Sequence, residues 1–336
     1  MRTIALTAAL ALAAAGSQAQ ADPWQIRVGW ATTPTHMQPI IDELHKRHPD
    51  LFHHFGKSYV AQGVRFQGST PQIQALAINE LEVAAFGPEA LALAVNNAHL
   101  DARMIADVFQ DGVPGYGSIT YAVRADSPIK TVENLRGKNV ATNAIGSFGD
   151  SAMRIMLRQH GLQDRDFTSV ETNFANMPAM LDDGKVDMIN LVPQFHYMLS
   201  KAGKMRVLFT AADGEGHIQA QLWAMKADVI AAHRAAIVDF LEDHLRAVQW
   251  LLDPAHHKET VAIGAEVTKA KPETLDYMYT KDDSFHAPDG RPDVTATQHA
   301  LDVELKSGLI QQGLTVAPTH VDLSLIDEAN KQLGGS

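Results

Sequence analysis

The chain has no cysteine among its 336 residues. That excludes a disulfide framework, thiolate metal ligands and an acylated cysteine at the amino terminus. Cations are also scarce: 28 Lys and Arg stand against 39 Asp and Glu, a formal charge of −11. A nucleic-acid partner is excluded on that ground, because phosphate binding needs concentrated Lys and Arg. No apolar run reaches the about 20 residues that cross a bilayer, and there is no low-complexity tract or solenoid repeat. Catalytic signatures are missing as well. Gly146-Ser147-Phe148-Gly149 lacks the G-x-S-x-G order, and neither a phosphate-binding loop nor a dinucleotide fingerprint follows a strand. The chain is therefore expected not to be an enzyme, and no cofactor is implied.

What is there begins with an export signal. Arg2 opens it, Thr3 to Ala15 form a short apolar run, and Ala19-Gln20-Ala21 supplies a small-x-small cleavage site. Residues 1–21 are expected to be removed after Ala21, delivering residues 22–336 to the periplasm as a free protein. With 46% hydrophobic residues, a chain of this length can bury a sizeable core and build two domains.

The pattern along the chain is β-α-β-α. Strands are expected at Ile26–Trp30, Val64–Gln67, Val83–Phe86 and Met104–Phe109, with helices at 37–47, 71–78 and 88–95 between them. Such alternation predicts a mostly parallel sheet. The glycine-rich stretch Asp111–Gly117 then breaks the chain, and Ile119–Arg124 resumes as a strand. A second set follows: Asn139–Thr142, a helix from Ser147 to His160, Thr168–Glu171, Met188–Leu191 and Arg206–Thr210. Asp213–Gly216 reads as a second flexible break before the strand Ile218–Met225, and a long amphipathic helix runs from Asp228 to Leu252. The expected fold class is α/β with two lobes, residues 22–118 and 222–336 forming one and 119–221 the other. Hinge motion is expected about Ile119–Arg124 and Ile218–Met225.

Two strand-to-helix corners share one chemistry. Val64–Gln67 runs into Gly68-Ser69-Thr70-Pro71, and Asn139–Thr142 runs into Asn143-Ala144-Ile145-Gly146-Ser147. The first turn of a helix leaves backbone N–H groups unpaired, and with the helix dipole these attract an anion. Ser69, Thr70 and Ser147 are candidates for ligand contact, and the serines are also expected to cap their helices. Asp150, in the first turn of the second helix, would oppose an anion there.

These residues carry a resemblance. The chain resembles the periplasmic solute-binding proteins of ABC importers, in the group handling nitrate, taurine, aliphatic sulfonates and thiamine-precursor pyrimidines. The likeness rests on Gly68-Ser69-Thr70-Pro71-Gln72, on Leu81-Glu82-Val83-Ala84-Ala85-Phe86-Gly87-Pro88, and on Ile129–Lys138 with the Gly146-Ser147 corner. Gly184-Lys185-Val186-Asp187-Met188-Ile189 before Pro193 completes it. It implies a type II Venus-flytrap fold that closes on a small ligand and docks on an inner-membrane permease as a monomer. It also implies that Ser69, Thr70, Gly87, Pro88, Gly146, Ser147, Phe148 and Pro193 line the cleft. Pyrimidine synthases on the same fold use a cysteine-rich motif that this chain lacks.

Aromatics beside the corners add an apolar side to the site. Trp30, Phe148, Phe195 and Trp223 fall at strand ends or crossovers, and Trp30, Phe148 and Phe195 are the candidates for enclosing a ligand body. No single Arg is placed by the sequence to clamp an acid group. The expected ligand is a small organic anion, a carboxylate or sulfonate with an apolar or aromatic body. A neutral pyrimidine, and a role as the ligand-sensing subunit of a membrane receptor, are the alternatives. His45, His48, His53 and His54 lack the accompaniment of a zinc site and read as a solvated surface cluster. His196 and the His256-His257 pair read as structural and surface residues.

Overall fold

The computed structural model describes residues 22–335; the expected signal peptide lies outside them. The first part of the chain alternates β1 (Trp24–Trp30), α1 (Gln38–Arg47), β2 (Tyr59–Arg65), α2 (Thr70–Ala77), β3 (Ala84–Phe86), α3 (Pro88–Asn96) and β4 (Ala102–Asp111). The chain then crosses to β5 (Thr120–Arg124), β6 (Asn139–Thr142), α4 (Phe148–Gln159), β7 (Thr168–Glu171), α5 (Met177–Asp182), β8 (Met188–Leu191), α6 (Pro193–Lys201), β9 (Met205–Thr210) and α7 (Ala211–Glu215). It returns through β10 (Ile218–Lys226) and ends in α8 (Ala227–Leu252), α9 (His257–Thr268), α10 (Val294–Ser307) and α11 (Leu323–Gly335).

Two sheets result. In the first, β1 and β2 pair in parallel, a Val28–Val83 bridge joins them to β3, and β10 lies antiparallel between β3 and β4. In the second, the order is β7-β6-β8-β5-β9, and only β5 runs against its neighbours. Each sheet is therefore mostly parallel with one reversed strand, and that strand is the one arriving from the other lobe. Parallel strands covered on both faces are apolar throughout, as in Met188–Leu191, which is buried end to end. Val28, Val83, Ile105 and Met225 centre the core of the first lobe, and Tyr121, Val140, Leu157 and Met188 that of the second.

The last third packs on the first lobe. Ile237, Leu241, Leu245 and Val248 form the buried stripe of α8, which sits on β2 and β10 and receives α11 through Leu325, Ile326 and Ala329. Among the described residues no helix is long and apolar enough to cross a membrane.

The two crossovers touch. Asp111, fully buried, accepts hydrogen bonds from the Ile119 N–H at 2.8 Å and the Ser118 hydroxyl at 2.5 Å, and pairs with Ile218 of the returning strand. Gly112 has φ +73°, and a Cβ there would fall 2.2 Å from the Gly216 carbonyl oxygen, so the strands run side by side only with glycine at this point. Two expectations change. The strand expected at Val64–Gln67 starts at Tyr59 and stops at Arg65. The break expected at Asp213–Gly216 is in fact the end of α7, where Thr210 caps Asp213 and Glu215 is buried.

Candidate functional site

The carboxyl ends of β1 and β2 face those of β6 and β8 across a cleft, where open α/β sheets place ligands. The lobes meet over it. Thr70 Oγ1 donates to the Gly146 carbonyl at 2.7 Å, Gln67 Nε2 to the Asn143 carbonyl at 3.1 Å, and Asn143 Nδ2 to the Gln67 carbonyl at 3.3 Å. Gly68 makes this approach sterically feasible, since a Cβ on it would lie 2.9 Å from the Ala144 Cβ and 3.2 Å from the Ser147 Cβ.

Two connected cavities remain beneath the clasp. The inner one, about 40 Å³, is bounded by Ser69, Ser147, Phe148, Gly149, His36 and Gln221, with Phe109 and Phe174 as apolar walls. The outer one, about 250 Å³, is bounded by Trp30, Arg65, Gln194, Phe195, Asn173 and Gln67. Ala31, Thr32, Asn143 and Phe174 line both, which connects the two through shared walls. Among the described residues no carboxylate lines either cavity.

The inner cavity sets a few donors into a mostly apolar lining. Phe148 and Gly149 open α4, and their N–H groups, being in the first turn, have no intrahelical acceptor. Ser69 Oγ accepts from the Gly87 N–H and from Gln221 Nε2, both at 3.3 Å, so its own proton is free to point into the cavity. Neither Ser69 nor Ser147 caps its helix, contrary to expectation. Ser147 Oγ donates instead to the Ala144 carbonyl at 2.8 Å.

The repulsion expected from Asp150 is answered locally. Its carboxylate accepts from the Gly146 N–H at 3.0 Å and from Arg154 Nε at 2.8 Å, a buried pair facing away from the cavity lining. His36 Nδ1 lies 3.1 Å from the Thr32 carbonyl and 3.3 Å from the Thr32 backbone N, which hold the ring in place, while Nε2 is buried without a partner among the described residues. Burial lowers its pKa to about 4, which keeps the ring neutral at the cleft wall.

The other candidates take different places. Trp30 and Phe195 line the outer cavity and Phe148 the inner one. Thr70 serves the clasp through its hydroxyl, with Gly146 supplying the acceptor. Gly87 and Pro88 lie beneath the cavity floor, where the Gly87 N–H holds Ser69. Pro193 starts α6 and thereby sets Val192 and Gln194 on either side of it into the cavity walls. Trp223 is core, stacked on Phe240. His196 is satisfied by Thr120 and Ser200. The histidines of the 45–54 stretch engage separate partners rather than one centre: His45 packs on Phe52 and Phe55, His48 pairs with Glu259 and His54 with Glu242. Among the described residues no three such groups converge on a metal position.

Arg65 is the residue that the sequence reading left out. Treated as mid-strand, it had no reason to face a ligand; as the last residue of β2 it stands at the cleft edge, in register with Trp30 and with its guanidinium carbon 5.7 Å from the centre of that ring. Asn143, Gln67 and Gln221 were missed too, since an amide at a strand end has no spacing that marks it.

A family model described as NMT1/THI5 like matches residues 64–256. The chain belongs to the NMT1/THI5-like family. The matched span covers both corners, the whole second lobe and the return through β10. No curated protein sequence matches the chain. Among solved structures it is similar to the alkanesulfonate-binding protein SsuA from Xanthomonas axonopodis pv. citri bound to MOPS, at 20% identity over 90% of this chain and 99% of that one, TM-score 0.68. It is similar to the periplasmic nitrate-binding protein NrtA from Synechocystis PCC 6803, at 14% identity over 94% of this chain and 90% of that one, TM-score 0.72. It is also similar to the desulfurization enzyme DSZB, at 12% identity over 92% of this chain and 99% of that one, TM-score 0.63. The family fold is thus the two-lobed periplasmic binding protein fold, and it serves binding proteins and an enzyme alike.

Proposed function

We propose that this protein is the periplasmic solute-binding component of an ABC importer and captures a small organic anion, a carboxylate or sulfonate, between its lobes by hinge closure. One observation carries the reading: the free N–H groups of Phe148 and Gly149 and the free proton of Ser69 converge on an inner cavity that no carboxylate lines. Preorganised donors in a water-poor space favour a negative head group. Phe109, Phe148 and Phe174 suit an apolar or aromatic body behind it. The similar alkanesulfonate-binding protein is bound to MOPS, a sulfonate, and the similar NrtA is a nitrate-binding protein, so both take small anions.

The proposed binding is without turnover: among the described residues none of the hydroxyls lining the two cavities is bonded to a histidine or a carboxylate. The protein works as a monomer that presents its closed, loaded form to an inner-membrane permease. The lobes are residues 22–118 with 222–336, and 119–221, and closure turns on the crossovers beside Asp111.

A thermal-shift screen of residues 22–336 against sulfonates, aliphatic and aromatic carboxylates, nitrate, pyrimidines and divalent metals tests the ligand class, since whatever binds only the folded state raises the midpoint. Shifts confined to pyrimidines or metals would reject an anion receptor. Uptake of the identified anion by cells lacking the gene tests the transport role, and unchanged uptake with a lost transcriptional response would assign a sensor instead.

A further inference from the structure

We infer that the ligand is a dianion: one acid group sits in the inner cavity, and a second acid group is met by Arg65 at the far wall of the outer cavity. This rests on the anion-receptor reading and narrows it to diacids, such as dicarboxylates or sulfonates that bear a carboxylate.

Arg65 is the only charged side chain among the described residues that bounds either cavity. Its guanidinium has five N–H donors, and among the described residues none of them has an acceptor and no Asp or Glu pairs with it, although the chain holds 39 acids against 28 Lys and Arg. Elsewhere the excess of acid is used: Arg27 binds Glu82, Arg136 binds Asp166, Arg154 binds Asp150 and Asp164, and Arg234 binds Glu328. Arg65 is nevertheless held in place. It ends β2 in register with Trp30, and its guanidinium lies over the Trp30 ring. That contact leaves the edge donors of the planar fork without acceptors among the described residues, and such a fork takes a carboxylate or sulfonate bidentately.

The space between the two acid-binding ends fits the same ligand. The outer cavity, about 250 Å³, is too large for a head group that the inner cavity of about 40 Å³ already holds. Its walls offer aromatic surface from Trp30, Phe174 and Phe195 and neutral amides from Asn173 and Gln194, with no second anion to repel a charge at Arg65. A monoacid would leave the guanidinium facing an empty chamber. A diacid fills both ends.

The test uses residues 22–336, wild type and with Arg65→Gln or Arg65→Lys, titrated calorimetrically with matched pairs: benzoate against benzene-1,4-dicarboxylate, and propane-1-sulfonate against 3-sulfopropanoate. Wild type should bind the diacid of at least one pair about tenfold or more tighter than its monoacid partner. Arg65→Gln should erase that preference, weakening the diacid about ten- to a hundredfold and leaving the monoacid within about twofold, while Arg65→Lys keeps part of it. Equal affinities within every pair, or equal losses for both members in Arg65→Gln, would overturn the inference and leave the receptor reading standing. Binding of neither member of any pair would overturn both. Unchanged denaturant midpoints establish that the variants are folded.

Discussion

The Thr70 hydroxyl donates to the Gly146 carbonyl across the cleft at 2.7 Å, one lobe gripping the other at a corner that sequence alone reads as a ligand contact. The clasp and the proposed anion site are built from adjacent residues. Ser69 turns inward to the cavity and Thr70 outward to the opposite lobe, because consecutive residues entering a helix point about 100° apart.

Thr70→Val keeps the shape and removes the donor. Closure then loses one neutral hydrogen bond, so affinity for the anion should fall about two- to tenfold. The unfolding midpoint should hardly move, since the bond joins two lobes that fold around separate cores. Calorimetry and urea unfolding on the same variant check both halves, and a lowered midpoint with intact affinity would place Thr70 in the fold rather than in closure.

Gly68→Ala should act more severely on the same step. The added methyl would stand 2.9 Å from the Ala144 Cβ, closer than two such carbons can approach. The lobes would be wedged apart. Small-angle scattering with saturating anion should show the wild-type radius of gyration shrinking and the variant's staying large; equal compaction would mean that the corner yields.

Ser69→Ala removes the hydroxyl that links the Gly87 N–H and Gln221 to the cavity. If that proton reaches an anionic head group, its loss costs about 1.5–3 kcal/mol of binding. Stability should drop by less, since the two bonds that Ser69 accepts are long, at 3.3 Å, and it caps no helix N–H. Comparable losses of affinity and stability would make Ser69 a support for β3 instead.

The pH dependence of stability has two limbs. Burial raises Asp107 and Asp283 to about 7 and Asp111 to about 6, and it also pushes up Glu89, Glu215 and Glu304, with the charge of Asp150 adding at Glu89, those of Glu89 and Asp111 at Glu215, and those of Glu89 and Glu215 at Glu304. Unfolded carboxyls ionise near about 4. The folded state thus holds more protons at neutral pH, and its stability falls as pH rises through these values. Burial works oppositely on His36 and His286, lowered to about 4, and His244, lowered to about 3: the unfolded chain protonates them first, so their share is lost as pH falls below about 6.5. Denaturant unfolding from about pH 6.5 to about pH 9 isolates the carboxyl limb and should show declining stability. Glu215→Gln, neutral at every pH and at a carboxyl whose two oxygens have no partner, should flatten that decline. A wild-type profile that rises with pH would contradict it.

Period and punctuation determined much of this protein before any coordinates. Alternating strands and helices, glycine and proline at their ends, and two crossovers specify a two-lobed α/β chain, because those signals act over a few residues and each is written locally. The carboxyl corners at Ser69 and Ser147 were legible for the same reason. Three features required the tertiary structure. Arg65 became a cleft residue only when β2 ended two residues sooner than expected, at Arg65 rather than Gln67. Thr70 and Ser69 parted roles only when Gly68 let the second lobe come within contact distance. Asp150 ceased to oppose an anion only when Arg154 closed on it. Pairings between residues far apart in the chain leave no period in a sequence; the packing that brings them together decides what each of them does.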